Sequence, residues 1–175
     1  YCLMPNHWHL VASPASDGAL SRFMHWLTTT HARRWQLADG AEGEGAVYQG
    51  RFKAIPVAGD RHFLWVCRYV ERNALRAGLV DRAETWPWSS LGTRDPWTAR
   101  WPCPRPANWL EHVNLPQTLQ ELRVFREAMS RGMPFGTEEW VRQTRERLGM
   151  LPRQGRGQPR RHRPQEMTPD PLTFM

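Results

Sequence analysis

The opening stretch YCLMPNHWHL, residues 1–10, decides how the first half of this chain is interpreted. Trp8, Leu10 and the valine that follows favour a β-strand, and Pro14 ends the run, so we expect a strand over residues 1–12. Side chains two apart on a strand point to the same face, which places His7 and His9 together. Two neighbouring imidazoles can chelate one divalent ion, although chance also places such pairs on protein surfaces.

The next segments continue the alternation of extended and helical structure. Leu20, Phe23, Met24 and Leu27 recur at helical spacing, and glycines follow the helix-forming stretch. The expected elements are a helix over 19–38 capped by Asp17, an extended segment over 46–57, and a helix over 61–77 capped by Asp60 and closed by Gly78. The pattern of the first half therefore predicts a strand, a helix, a strand and a helix, in that order.

The second half contains many prolines and then helical patterns. Prolines interrupt regular structure after residue 92, so we interpret 92–116 as a Pro/Trp-rich linker. Apolar spacing predicts a helix over 117–131, and Thr137 with two glutamates behind it opens a short helix that ends at Gly149. The predicted divisions are 1–91, the linker 92–116, a helical extension over 117–151, and a basic tail over 152–175 that we expect to be disordered when free.

The second predicted helix carries a candidate nucleophile. Tyr69 and Asn73 stand one helical turn apart and therefore share a face, where a tyrosine could attack phosphorus. The Asn73 amide oxygen could join His7 and His9 as a third metal ligand, and such a mixture of oxygen and imidazole suits Mg²⁺ or Mn²⁺. The competing interpretation is that Tyr69 is a core residue and Asn73 simply lies near a helix end.

Composition points weakly to nucleic acid. The formal net charge is +7, one residue of the 24 basic ones is lysine, and the chain has 10 tryptophans. Arginine pairs with phosphate and stacks on bases, but a GC-rich genome would raise the same residue types through codon bias. Three widely spaced cysteines indicate neither a disulfide framework nor a thiolate zinc site, and the apolar runs are too short for a membrane span.

Four ordered motifs resemble the single-tyrosine HUH transposases, in particular the REP-associated tyrosine transposases of bacteria. They are LMPNHWHL at 3–10, YQGRFK at 48–53, YVERNALRAGLV at 69–80 and WPWSS at 86–90. The resemblance covers residues 1 to about 91. The later RGMPFG at 131–136, and Glu139-Trp140 followed by the basic tail, are similar to C-terminal extensions of some members.

The resemblance implies an α/β (α+β) fold, a ferredoxin-like HUH nuclease sheet with helices on one face, plus a small C-terminal helical extension. It implies His7, His9 and Asn73 as ligands of Mg²⁺ or Mn²⁺ and Tyr69 as the catalytic residue. Two departures stand out. Ala74 occupies a position where members commonly have proline, and the strand-helix-strand segment that normally precedes the two histidines is absent, so we expect an N-terminally truncated, incomplete sheet.

The implied function is a DNA transposase or nickase that cleaves and rejoins single-stranded DNA at REP-like hairpins through a 5′-phosphotyrosine. Expected partners are single-stranded or hairpin DNA and, as an alternative to a monomer, a second copy of the chain; no membrane partner is expected, and the expected location is the bacterial cytoplasm, at the nucleoid when DNA is bound. The predicted DNA-binding residues are Arg51, Lys53, Arg72, Arg76, Arg153, Arg156, Arg160 and Arg161.

Two alternatives remain open at this point. One is a catalytically silent or domesticated DNA-hairpin-binding protein, which would keep the basic residues without the chemistry. The other is an unrelated arginine-rich RNA-binding protein, which the four ordered motifs disfavour. The basic tail has its own alternative, because a run of arginines can also serve only as a solubilising terminus.

Overall fold

The computed structural model describes residues 1–40, 45–59, 61–92 and 98–150. Within these residues two strands form a two-stranded antiparallel sheet, accompanied by six α-helices and one 3₁₀ turn. The elements are β1 Cys2–Leu3, β2 Trp8–His9, α1 Ala19–Asp39, α2 Arg61–Glu71, α3 Asn73–Arg76, the 3₁₀ turn Ala83–Thr85, α4 Trp109–Asn114, α5 Leu119–Arg131 and α6 Glu138–Arg147. The expected α+β class is confirmed, and the ferredoxin-like layout of the sheet stays a prediction.

The first ten residues form a hairpin, so the prediction of a single strand over 1–12 was wrong. Strands β1 and β2 pair antiparallel, with Leu3 opposite Trp8. The backbone N–H of Met4 donates to the carbonyl of His7 at 2.8 Å, which leaves a two-residue loop of Pro5 and Asn6. Proline suits the second position of a tight turn because its ring fixes φ near the required value. His7 therefore lies at the end of the loop and His9 within β2.

A segment far along the chain pairs with the other edge of β1. Cys2 forms an antiparallel bridge with Ser89. The N–H of Leu3 donates to the carbonyl of Trp88 at 2.8 Å, and the indole Nε1 of Trp86 donates to the carbonyl of Leu3 at 2.8 Å. The WPWSS motif at 86–90 thus holds the strand that precedes the two histidines.

The chain divides into two compact units. One comprises Tyr1–Leu10 and the described residues from Ile55 onward, and the other comprises Val11–Ala54. In the second unit α1 starts after Gly18, which takes φ +74°, and no side chain caps the helix, so the predicted Asp17 cap was wrong. The expected extended segment over 46–57 contains no strand, and Val57 alone forms a bridge, with Phe135.

The predicted helix over 61–77 is present as α2 and α3, which adjoin at Arg72. Gly78 follows α3 with φ +69°, and the N–H of Leu79 donates to the carbonyl of Ala74 at 3.0 Å. This six-to-one hydrogen bond satisfies a carbonyl that a helix end otherwise leaves unpaired. The prediction that Gly78 closes the helix is confirmed, while the predicted cap Asp60 lies outside the described residues.

The predicted linker over 92–116 contains helix α4, which the sequence analysis missed. Helices this short are unstable alone and depend on tertiary contacts that local patterns do not reveal. The two later helices match their predictions, because their ends carry local signals. Thr118 forms a capping box with Glu121 at the start of α5, and the Thr137 hydroxyl accepts from the backbone N–H of Trp140 at the start of α6.

An aromatic cluster joins α2 to α5 in the core of the first unit. The Phe125 ring lies 5.0 Å from that of Trp65 and 4.7 Å from that of Tyr69, measured between centroids. Phe135, which follows α5, lies 5.1 Å from Phe125. Next to Phe135, Gly136 leaves room for the Trp140 ring, since an added Cβ would lie 2.5 Å from it. The helical extension is therefore part of the same core as α2.

Among the described residues, none of the helices is both long enough and apolar enough to cross a membrane.

Candidate active site

The hairpin places the two histidines side by side. Their ring centroids lie 5.0 Å apart, with the rings perpendicular. The Nδ1 of His7 lies 2.7 Å from Oδ1 of Asn6. Because an amide oxygen only accepts, this contact assigns the proton to Nδ1 and leaves the lone pair on Nε2. The Nε2 of His9 is buried and has no hydrogen-bond partner among the described residues.

Both imidazoles are neutral at physiological pH. Burial, followed by the nearby His7 and Arg76, lowers the pKa of His9 to about 4. Burial and then Arg76 also lower the pKa of His7 below its usual range. A neutral imidazole keeps a lone pair available, which is the form that binds metal ions.

Helix α2 brings Tyr69 to the histidines. The Tyr69 ring centroid lies 6.0 Å from that of His9, and the side chain is 1% exposed. Trp65 stacks on one side of the ring at 5.7 Å, and Phe125 of α5 lies nearby. The Tyr69 hydroxyl has no hydrogen-bond partner among the described residues. The juxtaposition expected from the sequence is therefore present, inside a largely aromatic pocket.

Asn73 and Arg76 complete the cluster from the same helical segment. Asn73 is 2% exposed, and its Oδ1 accepts a hydrogen bond from Nη2 of Arg76. The Cζ atom of Arg76 also lies 4.3 Å from the centroid of the Tyr69 ring, in cation–π contact. Nothing in the sequence predicts the contact between Arg76 and the Tyr69 ring except their spacing of seven residues.

Four buried polar atoms in this cluster lack a partner in the part of the chain that the structure describes. They are His9 Nε2, the Tyr69 hydroxyl, Asn73 Nδ2 and Arg76 Nη1. Buried polar groups are nearly always hydrogen-bonded, because leaving one unpaired costs about 1–3 kcal/mol. A concentration of unpaired donors and acceptors on a few buried side chains is typical of a site that binds a polar ligand.

The residues present fit a divalent metal ion as a donor set. His7 and His9 are neutral imidazoles, and His9 Nε2 is an unpaired buried atom. Asn73 contributes an amide oxygen that accepts from Arg76 with one lone pair and keeps the second for a metal. In the described ranges no group of three or more His, Cys, Asp or Glu side chains could hold a metal. A metal site here therefore depends on Asn73, and its occupancy stays a prediction.

The predicted DNA-binding residues lie in different surroundings. Arg72 donates to the backbone carbonyls of Val113 at 3.1 Å and Asn114 at 2.6 Å, at the end of α4. Arg51 and Lys53 are exposed in the unit Val11–Ala54. Arg153, Arg156, Arg160 and Arg161 lie outside the described residues. Within the first unit, Arg76 is the member of this set that contacts Tyr69.

Glu71 is an important residue that sequence reasoning missed. It is 4% exposed and accepts hydrogen bonds from the indole Nε1 of Trp109 at 2.7 Å and from the Ser90 hydroxyl at 3.0 Å. Arg105 lies 4.0 Å from the same carboxylate. The available sequence signal was an acidic residue, Glu71, among apolar positions of the helix that are buried in α2.

The Cys67 thiol of α2 stays protonated. Burial, and then the nearby Glu71, raise its pKa to about 12.

Residues 1–73 match the family model described as "Transposase IS200 like". The matched segment includes His7, His9, Tyr69 and Asn73. Neither the curated proteins nor the solved structures contain a significant match to the chain.

Proposed function

We propose that the protein is a transposase that cuts and rejoins single-stranded DNA through Tyr69, because residues 1–73 match the family model of IS200-like transposases. The observation that carries the proposal is a cluster of four buried polar atoms without a partner among the described residues: the Tyr69 hydroxyl and one atom each of His9, Asn73 and Arg76. An anionic phosphodiester offers acceptors for the Asn73 and Arg76 donors. REP-like hairpins are the proposed substrates, on the resemblance of the four motifs.

The proposed reaction exchanges one phosphodiester for another. The Tyr69 oxygen loses its proton and attacks the scissile phosphorus, and the bond from phosphorus to the 3′ oxygen breaks. The departing 3′ oxygen takes up a proton, so the products are a 5′-phosphotyrosine and a 3′-hydroxyl. Because the covalent intermediate conserves the bond energy, a 3′-hydroxyl end can attack it and reseal the strand without a nucleotide cofactor.

The chain's own residues have distinct roles in this scheme. His7, His9 and Asn73 would hold Mg²⁺ or Mn²⁺, which supplies Lewis-acid stabilisation of the charge that develops on phosphate. The hydrogen bond from His7 to Asn6 orients one imidazole, and burial keeps the other neutral. Trp65 and Phe125 exclude water from the Tyr69 ring.

Access to Tyr69 is part of the proposal. Since the side chain is 1% exposed, DNA has to displace a neighbouring group before it meets the hydroxyl. Arg51, Lys53 and the tail arginines would supply salt-dependent affinity for the phosphate backbone. A second copy of the chain remains a proposed partner.

The same buried hydroxyl favours a second candidate function, which is hairpin binding without cleavage. A tyrosine that DNA never reaches would serve only as a core residue. The two functions differ in one observable, the covalent bond between protein and DNA.

The test uses a single-stranded oligonucleotide pool with a stem-loop between randomised flanks, labelled at the 3′ end because Tyr69 would retain the 3′ fragment. With Mn²⁺ or Mg²⁺ we expect the wild-type chain to form a labelled adduct that survives denaturing electrophoresis. Tyr69→Phe should form none while binding the pool with unchanged affinity. Binding without an adduct in either metal would refute cleavage and support the second function, and an adduct that persists in Tyr69→Phe would refute Tyr69 as the nucleophile.

A further inference from the structure

Arg76 contacts two of the proposed functional residues at once. Its guanidinium Cζ lies 4.3 Å from the centroid of the Tyr69 ring, and its Nη2 donates to Oδ1 of Asn73. Its Nη1 is buried and has no partner among the described residues. A planar guanidinium can make these contacts together because its donors are fixed in one fork and its face lies against the ring.

These contacts differ from those of a residue whose function is only to meet the DNA backbone. Such an arginine extends toward solvent, where its charge steers the phosphates. Arg76 instead packs over the nucleophile's ring, close enough to the histidines to lower the pKa of both. Removing charge from solvent is costly unless it is compensated, and here the compensation comes from Tyr69 and Asn73.

The sequence spacing explains how one side chain reaches both groups. Arg76 lies three residues after Asn73 and seven after Tyr69, so all three fall on one face of the α2–α3 segment. The turn closed by Gly78 follows directly and ends that face. Arg76 therefore links the nucleophile to the proposed third metal ligand without help from another element.

We propose that Arg76 is a positioning residue that fixes the Tyr69 ring and the Asn73 amide relative to each other, rather than only a contact to flanking phosphates. This role rests on the proposed cleavage function. Misplacing a reacting group by about 1 Å can cost on the order of 100-fold in rate. Loss of Arg76 should therefore slow the chemical step at saturating DNA.

The experiment compares Arg76→Met, which keeps the length of the side chain, with Arg76→Lys, which keeps its charge. Arg61→Met is the matched control, because Arg61 is exposed at the start of the same α2–α3 segment. Each variant is measured for affinity to the oligonucleotide pool and for the single-turnover rate of adduct formation with Mn²⁺. The protein has three tyrosines, so labelling with 3-fluorotyrosine gives a simple fluorine NMR spectrum. The resonance of Tyr69 in this spectrum reports the environment of its ring.

We expect Arg76→Met to slow adduct formation roughly 10–100-fold, with DNA affinity within about 3-fold of wild type. Arg76→Lys should recover part of the rate, and Arg61→Met should match wild type. The Tyr69 resonance should shift or broaden in Arg76→Met and stay in place in Arg61→Met. A purely structural role would not give partial rescue by lysine at unchanged affinity.

Two results would overturn the positioning role. One is an Arg76→Met variant whose adduct rate returns to the wild-type value once DNA is saturating, since the defect would then be binding alone. The other is a Tyr69 resonance whose position and width do not change in Arg76→Met. A wild-type chain that forms no adduct refutes the proposed function separately, and the fluorine spectrum still decides whether Arg76 holds Tyr69.

Discussion

Two faces of the α2–α3 segment carry polar residues that differ in how completely their side chains are hydrogen-bonded. Arg68, Glu71 and Arg72 form what we call the paired face, since each makes at least two hydrogen bonds to residues 90–116. Tyr69, Asn73 and Arg76 form the unpaired face, where each leaves one buried polar atom without a partner in the described part of the chain. Polar groups on one helical segment thus divide into those that hold the fold and those available to a ligand.

The paired face fixes α4 against α2. Arg68 donates to the carbonyls of Leu115 and Pro116, and Arg72 to those of Val113 and Asn114. Carbonyls at a helix end have no partner within the helix, so two arginines satisfy groups that α4 would otherwise leave exposed. One exception lies on this face, because Nε of Arg68 has no partner among the described residues.

The strongest way to break this contrast is to remove Glu71. Glu71→Ala should lower the free energy of unfolding by about 3 kcal/mol, because it leaves the buried Trp109 indole without its acceptor and removes the carboxylate that Ser90 and Arg105 also contact. Tyr69→Phe removes a hydroxyl that has no partner and should change the unfolding free energy by less than about 0.5 kcal/mol. Urea unfolding measures both. Equal destabilisation by the two substitutions would contradict the division into faces.

A second prediction uses pH. Because the pKa of His9 lies at about 4 in the folded chain and near 6.5 when unfolded, the unfolded state binds more protons between these values. Stability is therefore complete above roughly pH 6.5 and falls as the pH drops, by about 2 kcal/mol between roughly pH 7 and pH 5 from His9 alone.

The measurement is urea unfolding of wild type and His9→Gln at several pH values. The variant should show the shallower dependence, with the remainder due to His7 and His112, whose pKa values burial also lowers. Identical slopes for the two proteins would show that His9 is not held neutral.

The smallest expected effect comes from Arg72. Arg72→Met should cost about 1–2 kcal/mol of unfolding free energy, since it removes two hydrogen bonds to the end of α4. The affinity for the oligonucleotide pool, and its dependence on salt, should stay at the wild-type values. A reduced salt slope with unchanged stability would instead support the DNA contact expected from the sequence. Arg82→Met, an exposed arginine beyond this face, is the control.

Local signals predicted which residues lie near one another within each pair. His7 and His9 share a short spacing, and Tyr69 and Asn73 are one helical turn apart. That the two pairs come together was expected from the resemblance to the single-tyrosine HUH transposases. Helices α5 and α6 were predictable for a related reason, since Thr118 and Thr137 mark their starts. Each of these features depends on residues within about one turn of one another.

Most of what the sequence did not reveal depends on residues far apart in the chain. The hairpin of residues 2–9 is an exception, because Pro5 and Asn6 are local turn residues that were included in a single strand. The pairing of β1 with Ser89 leaves no trace in the local pattern. Helix α4 was missed because its end is held by Arg68 and Arg72. The Tyr69 pocket includes Phe125 of α5, a neighbour that no spacing rule connects to it.

The bridge between Cys2 and Ser89 can form only after most of the first half of the chain has been synthesised. The ribosome adds His7 and His9 before Ser89, the residue that pairs with their hairpin. Ser89 follows about 80 residues later, or roughly 4–16 s at bacterial and eukaryotic elongation rates. Phe125, which lies against Tyr69, follows later still. A nascent chain that stalls before this phenylalanine carries all four proposed active-site residues, but it lacks one wall of the pocket that surrounds the nucleophile.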